Sequence, residues 1–600
     1  MPLAACPPVS RGGARRVCAP AALKNPSPNT CAVGTETDRA QPVLRVIAVA
    51  LALVAAAVAP LRAAAPDARR PRKLIATGWD HANTERFRAN LAEMEQRPFD
   101  GVVLRVDGTK PDGKPCHLRW MWTRGRWQRA WFDKAVADLK ACESDRLTDN
   151  FAGINANPGD VDWFDDVAWA DIVDHWRIAA SVAKAGGLRG ILFDPEPYNP
   201  PHAPFRYAAQ PNKDAHPFDA YAAKARERGR QVMEAVAGEF PDLVLYSYFL
   251  NSICRSATGH RQPSRILKNL GYGLLPAFVD GWLDAAPPTV TFVDGCESAY
   301  LYNSRREYVE SALAIKGACQ ELVSPENRPK YRAQVQVSFG VYLDAYWNPK
   351  DSEWGRWYVD GQGGPRVERL RANVQSALDA ADAYVWIYGE KYRWWPTPNG
   401  RVRDESWPEA LPGCEAALRY ARDPVDFART EIARRRKAGD LQNRLEGGDF
   451  AKGKEGGRPD GWGAWQAKAS EGTFTWDSGT GAGAKGAGRV AGVQDGCFIQ
   501  SIPAQPGQRY AVRAVRRISG RGEASLRVRW QTAEHKWTAQ GRDAVVPCLG
   551  SRDAWSEMLT AVQVPEGAGR LVVLLLVRDQ PGEKDVAWFD DAAVYRLDAL

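Results

Sequence analysis

The feature that most constrains this fold is a regular alternation of short apolar runs with helix-patterned stretches between about residues 73 and 422. Strand-like runs are read at Lys73–Asp80, Gly101–Asp107, Phe151–Asn157, Leu188–Glu196, Leu243–Tyr248, Val290–Glu297, Gln334–Asp344 and Tyr384–Glu390. Helical spacing covers Thr84–Gln96, Trp131–Cys142, Ala170–Ala185, Ala220–Glu239, Arg305–Glu321, Arg366–Ala381 and about Pro408–Ala421. Strands separated by helical crossovers lie parallel, and eight such units predict an α/β chain whose first fold is a (β/α)8 TIM barrel. The long loops follow strands two, four, five and seven.

Alternation within the strands says which side chains share a face. In Gln334-Val-Gln336-Val-Ser338-Phe-Gly340-Val-Tyr342-Leu-Asp344, one face is Val, Phe and Leu and the other is polar or small. The apolar face of a barrel strand meets the helices, so the polar face points inward. The same parity aims Arg105 and Asp107, Asn155 and Asn157, Asp194 and Glu196, and Trp386, Tyr388 and Glu390 inward. These positions collect at the carboxyl ends of the strands, where barrel enzymes place their chemistry.

The fourth run, Gly190-Ile-Leu-Phe-Asp194-Pro-Glu196-Pro-Tyr198, ends in two carboxylates at i and i+2, on one face of a buried strand. Such a pair is costly without a role, because burial and like charge both oppose ionisation. A proton donor with a raised pKa is what cleavage of a glycosidic bond requires. Glu196, Asp194 and Glu390 are the catalytic candidates. Asp80, Arg105, Asn155, Asn157, Tyr198, Tyr246, Tyr248, Glu297, Tyr342, Asp344, Trp386, Tyr388 and Trp394 are the candidates for lining a substrate cleft.

The Asp194-Pro-Glu196 end resembles the D-x-E strand-four end of chitinase-like barrels. That resemblance implies Glu196 as general acid and Asp194 as the group that positions a substrate acetamido nucleophile. The longer D-x-x-D-x-D-x-E pattern is absent, since Arg189 and Leu192 stand at its earlier Asp positions. Glu196 is also similar to the acid/base of retaining barrel glycosidases, in which a second carboxylate closes strand seven. Here Asp344 and Glu390 are the available partners. A pair 5–5.5 Å apart retains configuration and a wider pair inverts it.

After a charged helix over roughly 425–440 the chain becomes Gly-rich, with short alternating strands such as Ser525-Leu-Arg-Val-Arg-Trp530 and Leu571-Val-Val-Leu-Leu-Leu-Val577. This predicts an all-β unit over 441–600, following a barrel over 66–424. Asn443-Arg-Leu-Glu-Gly-Gly-Asp449-Phe450, Pro459-Asp-Gly-Trp462 and Val586-Ala-Trp588-Phe589-Asp590-Asp591 resemble the opening and closing elements of family 4/9-type carbohydrate-binding modules. The resemblance implies a jelly roll that binds glycan or packs against the catalytic unit, often with a structural calcium. Trp462, Trp465 and Trp476 are its candidate platform or its core.

Residues 1–65 read as a leader. Arg45 precedes an uncharged run over 46–59, and Ala63-Ala64-Ala65 supplies a small-residue cleavage site, so a secreted or periplasmic product without a lasting membrane anchor is expected. This leader holds seven Lys/Arg against two Asp/Glu. The remainder therefore carries 73 against 70 of the chain's 80 and 72, too balanced for a nucleic-acid surface. The 23 Trp suit sugar stacking as well as core. No Cys-x-x-Cys pair, His cluster with metal spacing, phosphate loop or Gly-x-Ser-x-Gly elbow occurs, so no metal, nucleotide cofactor or serine nucleophile is expected. Cys497 with Cys548 is the expected disulfide. The reading is a glycoside hydrolase of an extracellular poly- or oligosaccharide. A non-catalytic glycan-binding protein on a degenerate barrel and a polysaccharide lyase remain open, as does the oligomeric state.

Overall fold

The structure, a computed structural model, describes residues 72–538, 543–547 and 550–597. The leader, its cleavage site and Cys548 lie outside the described residues, and Cys497 is a buried free thiol. The described residues belong to one compact unit, Arg69–Leu600.

Nine parallel strands form one curled sheet. They are β1 (Lys73–Gly78), β2 (Gly101–Leu104), β3 (Phe151–Asn155), β4 (Gly190–Asp194), β5 (Val244–Ser247), β6 (Thr291–Asp294), β7 (Val335–Val337), β8 (Gly340–Tyr342) and β9 (Tyr384–Gly389). Their order is β8-β9-β1-β2-β3-β4-β5-β6-β7. The expected single strand Gln334–Asp344 is thus two pieces, and they form the two ends of the sheet. The reason is a change of partner at Ser338-Phe339. The Ser338 amide donates to Asp294 O on the β6 side (2.9 Å), and the Trp386 amide on β9 donates to Phe339 O (3.1 Å).

Helices follow the strands. The longest are Asp166–Ala185 and Phe218–Glu239. Leu275–Ala285, between β5 and β6, is a helix that the sequence reading did not separate out. Eight of its eleven residues are buried, so it has few polar positions to mark an exposed face. Asp165 starts Asp166–Ala185 by accepting the Ala168 amide (3.0 Å), and Ser304 caps Arg305–Lys316 in the same way.

Parity on β4 sets the later chemistry. Phe193 faces the helices and packs against Trp122 (6.2 Å), Trp176 (5.1 Å) and Trp282 (5.9 Å), so Asp194 must face the opposite way. Burying aromatics of this size contributes about 4 kcal/mol each by area. That anchoring holds a costly carboxylate in place.

From Gly463 onward the structure is antiparallel. One sheet contains Gly463–Gln466, Asp495–Pro503, Arg570–Arg578, Glu523–Gln531 and Ala544–Pro547; the other contains Thr473–Asp477, Ala487–Ala491, Val586–Leu597, Arg509–Ser519 and Ser556–Gln563. Their inner faces share one core that includes Phe450, Trp462, Phe498, Val512, Leu526, Leu575 and Val594.

The helix Pro424–Ala438 joins the two regions. Asp423 caps it, accepting the Val425 (3.0 Å) and Asp426 (2.9 Å) amides, and Gly439 ends it at φ +75°. Its Ala428 and Ile432 pack with Tyr420 of the parallel-sheet region and with Ala511, Leu559 and Leu597 of the antiparallel sheets. Arg509 pairs with Glu368, and Arg371 donates to Gln563 (3.0 Å) across the same seam. Among the described residues no helix is long and apolar enough to cross a membrane.

Candidate active site

The carboxyl ends of β4, β6 and β9 bring together acids that the chain keeps far apart. Asp194 is 2% exposed at the end of β4. Its Oδ1 accepts the Glu196 amide (3.0 Å), and its Oδ2 lies 3.0 Å from the Tyr198 hydroxyl. The same hydroxyl is 2.5 Å from Glu196 Oε2. A phenol has one proton, so it can donate to only one of these acids. The other contact is satisfied when that acid is itself protonated and donates to the phenol oxygen. The geometry therefore favours a pair that keeps a proton.

The electrostatics agree. Burial, then the charge of Glu196, raises the Asp194 carboxyl to about 7, with Arg119 opposing. Burial also raises Glu196, with the Tyr198 hydrogen bond opposing. Glu297 joins them as a third acid. Burial, then Glu196 and Asp194, and more weakly Glu390, hold it well above the usual carboxylate range. Glu390 is raised by burial, against Tyr342 and Lys391. Among the described residues, only Asp194 of these four acids has a cation within ion-pair reach, Arg119 at 4.0 Å.

Local structure explains each placement. Asn157 donates to Glu196 O (2.8 Å) and accepts the Tyr198 amide (2.7 Å), clamping the loop after β4, while Asn155 accepts the Asn157 amide (3.2 Å). Glu297 lies three residues past β6, in a turn made by Cys296 at φ +43°. Asp294 fixes that turn by accepting the Ser252 (2.9 Å) and Cys296 (3.2 Å) amides. Asp344 is fully buried behind Glu390 and accepts its amide (2.8 Å), and burial raises its carboxyl to about 7.

Beneath the acids lies an aromatic floor. Tyr248 stacks on Trp386 at 4.5 Å, and Tyr300 stacks on Tyr342 (5.0 Å) and Tyr388 (5.7 Å). Gly340 makes this packing feasible, because a Cβ there would come within 2.6 Å of the Trp386 ring. Tyr246 is deeper, bonded to Ser338 (2.5 Å). Trp394 packs behind the site against Phe99 (5.0 Å). Asp80 faces away from the acids. It pairs with Arg86 (2.7 Å) and accepts the Trp394 (2.9 Å) and Trp395 (3.1 Å) amides, tying the loop after β9 to that after β1. Arg105 pairs with Asp107 (2.9 Å).

Sequence reasoning missed Tyr300, Arg119 and, apart from Tyr198, the rim. Among the described residues, the exposed aromatics of the parallel-sheet region are Trp79, Trp120, Tyr198 and Trp354, and all four lie in connections that follow the carboxyl end of a strand, Trp120 at the end of a short 3-10 helix. In the antiparallel region, Trp462 is core, stacked on Phe450 (5.3 Å), and Trp476 is half-buried; Trp465 stands exposed. A cleft of about 480 Å³ elsewhere, lined by Arg146, Arg419 and Arg422, lies at the amino ends of the strands, away from these acids.

No family model and no curated protein matches this chain. Among solved structures, it is similar to the enzymatically active domain of bacteriophage CBA120 tailspike protein 4, at 14% identity and a TM-score of 0.21, over 26% of this chain and 21% of that one. It is similar to the CBM22-1 xylan-binding domain from Paenibacillus barcinonensis Xyn10C at 12% identity and a TM-score of 0.20, over 27% of this chain and 97% of that one. The CBM22-1-GH10 modules of Clostridium thermocellum xylanase 10B give 13% identity and a TM-score of 0.19, over 26% of this chain and 28% of theirs. The chain thus spans about a fifth of the tailspike domain's length. Likenesses this partial carry no argument about the site.

Proposed function

We propose that this protein is a glycoside hydrolase, exported to the periplasm or medium, that cleaves glycosidic bonds of a poly- or oligosaccharide. The observation that carries the reading is the Asp194–Tyr198–Glu196 triad, in which one phenolic proton stands between two carboxyls at 3.0 and 2.5 Å. Such a pair keeps an acid protonated near neutral pH, as protonation of a leaving alkoxide demands. Glu196 is the general acid/base, because it is the more exposed member of the pair. Asp194 orients and polarises the reacting centre. Glu297 and Glu390 are the further carboxylates available to attack the anomeric carbon or to activate water.

The four exposed aromatics around the acids support a sugar ligand, whose C–H faces stack on indole and phenol. In the same reading the parallel sheet closes into a (β/α)8 barrel, since β7 and β8 are one chain interrupted by two residues. The antiparallel sheets are a carbohydrate-binding-type jelly roll. Among the described residues no three or more acids, histidines or cysteines are grouped to hold a metal, so the calcium that this resemblance implies would have to draw on backbone carbonyls as well. Both Asp590 oxygens accept backbone amides, from Ala482 and Asp591 (both 2.7 Å). The lyase alternative needs a basic side chain, yet burial, with neighbouring acids and phenols, raises Tyr198, Tyr300 and Tyr388 well above their ordinary value.

The test is a screen of polysaccharides and aryl glycosides of both anomers, with product stereochemistry followed by NMR. Turnover that Glu196→Gln abolishes supports the reading; turnover unchanged in Glu196→Gln, or absent on every substrate, overturns it.

A further inference from the structure

The wall of the cleft beside the acid pair has the opposite charge. His81 follows β1 and lies 3.0 Å from Thr77 Oγ1 through Nε2. Its other ring nitrogen is 3.5 Å from an Arg119 guanidinium nitrogen, and Arg119 also reaches to 4.0 Å from Asp194. Arg105 and Arg401 complete the group. Their charges, with that of Arg119, act on His81 after burial and keep the imidazole neutral, well below its usual range. Burial, then the charges of Arg105 and Arg119, lower Arg401, with Asp107 opposing, and Arg401 forms no ion pair among the described residues.

The local acids do not balance this charge. Asp107 is shared between Arg105 Nε (2.9 Å) and His117 Nδ1 (2.7 Å). Asp194 belongs to the acid pair. Three guanidinium groups, Arg105 and Arg119 from the connection after β2 and Arg401 from the loop after β9, therefore face one dedicated carboxylate. Arginines held together without counter-charge repel one another, and an anion of planar or tetrahedral oxygens relieves the repulsion through bidentate contacts. Trp120, next to Arg119, and Trp79, two residues before His81 in the loop after β1, stand exposed. A sugar stacked there would present its substituents to the arginines.

We propose that Arg119, Arg401 and Arg105 form a subsite for an anionic sugar substituent, a carboxylate or a sulfate ester, so that the substrate is an acidic glycan. This rests on the glycan reading above and narrows it. Arg119 reaches both the subsite and Asp194, so the charged residue would sit in a subsite adjoining the scissile bond.

Binding separates this proposal from the catalytic one. Galacturonate tetrasaccharide, a sulfated carrageenan tetrasaccharide and neutral galactotetraose are titrated into full-length Glu196→Gln protein by calorimetry, with and without Arg401→Ala. Arg401 is exposed on a loop, so its replacement should leave the fold intact, and Arg401→Lys serves as a second variant. One anionic probe should bind about tenfold tighter than the neutral one, with the advantage falling in high salt and in Arg401→Ala. Which anionic probe is preferred tells carboxylate from sulfate. Equal affinity for neutral and anionic probes, an advantage untouched by Arg401→Ala, or no binding at all overturns the subsite. An anionic preference in a protein that hydrolyses nothing would keep the subsite and sink the hydrolase.

Discussion

Two sets of buried acids, one at each end of the parallel sheet, are held in opposite ways. At the amino ends, Asp100 is held by Arg422 at 2.6 Å with Arg146 at 3.9 Å, and it also accepts the Leu74 amide at 2.9 Å. Asp149 pairs with Lys73 and accepts the Tyr384 hydroxyl (2.8 Å). Each acid there has its own cation. At the carboxyl ends, Asp194, Glu196, Glu297 and Glu390 are set against one another with a single distant guanidinium, and all four are raised. The first arrangement closes the fold. The second stores proton affinity at a cost in stability, as the proposed acid chemistry requires.

The sharpest way to break this contrast is to exchange effects between the ends. Glu196→Gln should lower kcat by about 10²–10⁴-fold on the best glycan from the screen, with the thermal midpoint unchanged or higher. Asp100→Ala should do the reverse. It leaves the Arg422 charge buried and unpaired, and should cost about 3 kcal/mol in urea unfolding while kcat stays at the wild-type value. If Asp100→Ala slows turnover as much as Glu196→Gln does, the division between the ends is wrong.

A third prediction uses pH. Asp194 and Asp344 go from an ordinary value of 3.8 to about 7 in the folded protein. The native state then binds more protons than the unfolded chain between these values, so stability falls as pH rises from about 4 through 7. Asp344→Asn keeps an acceptor for the Glu390 amide and removes one titrating group. It should be more stable than wild type by on the order of 1–2 kcal/mol at pH 8 and no more stable at pH 4. An unchanged pH profile in Asp344→Asn would show that this acid ionises freely. The smallest effect is expected from Trp465→Ala. Stability should stay within about 0.5 kcal/mol of wild type, while retention on insoluble polysaccharide falls if the antiparallel sheets bind glycan.

Much of this contrast can be read from residue order alone. The alternation in Gly190–Asp194 gave the strand, its inward face and the acid pair, because a period of two is a property of the chain. Helix and strand positions followed from the same periodicities. Glu297 was harder to place. It stands beyond its strand, past a left-handed Cys296 at φ +43°, where strand parity no longer says where a side chain points. Arg119 and Arg401 lie in long loops, and only the tertiary fold brings them to His81. The break at Ser338-Phe339 depends on two different partner strands, which a single run of alternating residues does not encode.

The seam built on Pro424–Ala438 has a mechanical consequence. With Ile432 wedged between Tyr420 and Leu559, and with Arg509 locked to Glu368, the antiparallel sheets do not swing on a leash. The effective-concentration arithmetic of a flexible tether therefore does not apply to them. A polymer gripped at Trp465 would be offered to Glu196 at one spacing and in one direction, as a jig offers a workpiece to a blade, and chains too short to span that gap would gain nothing from the grip.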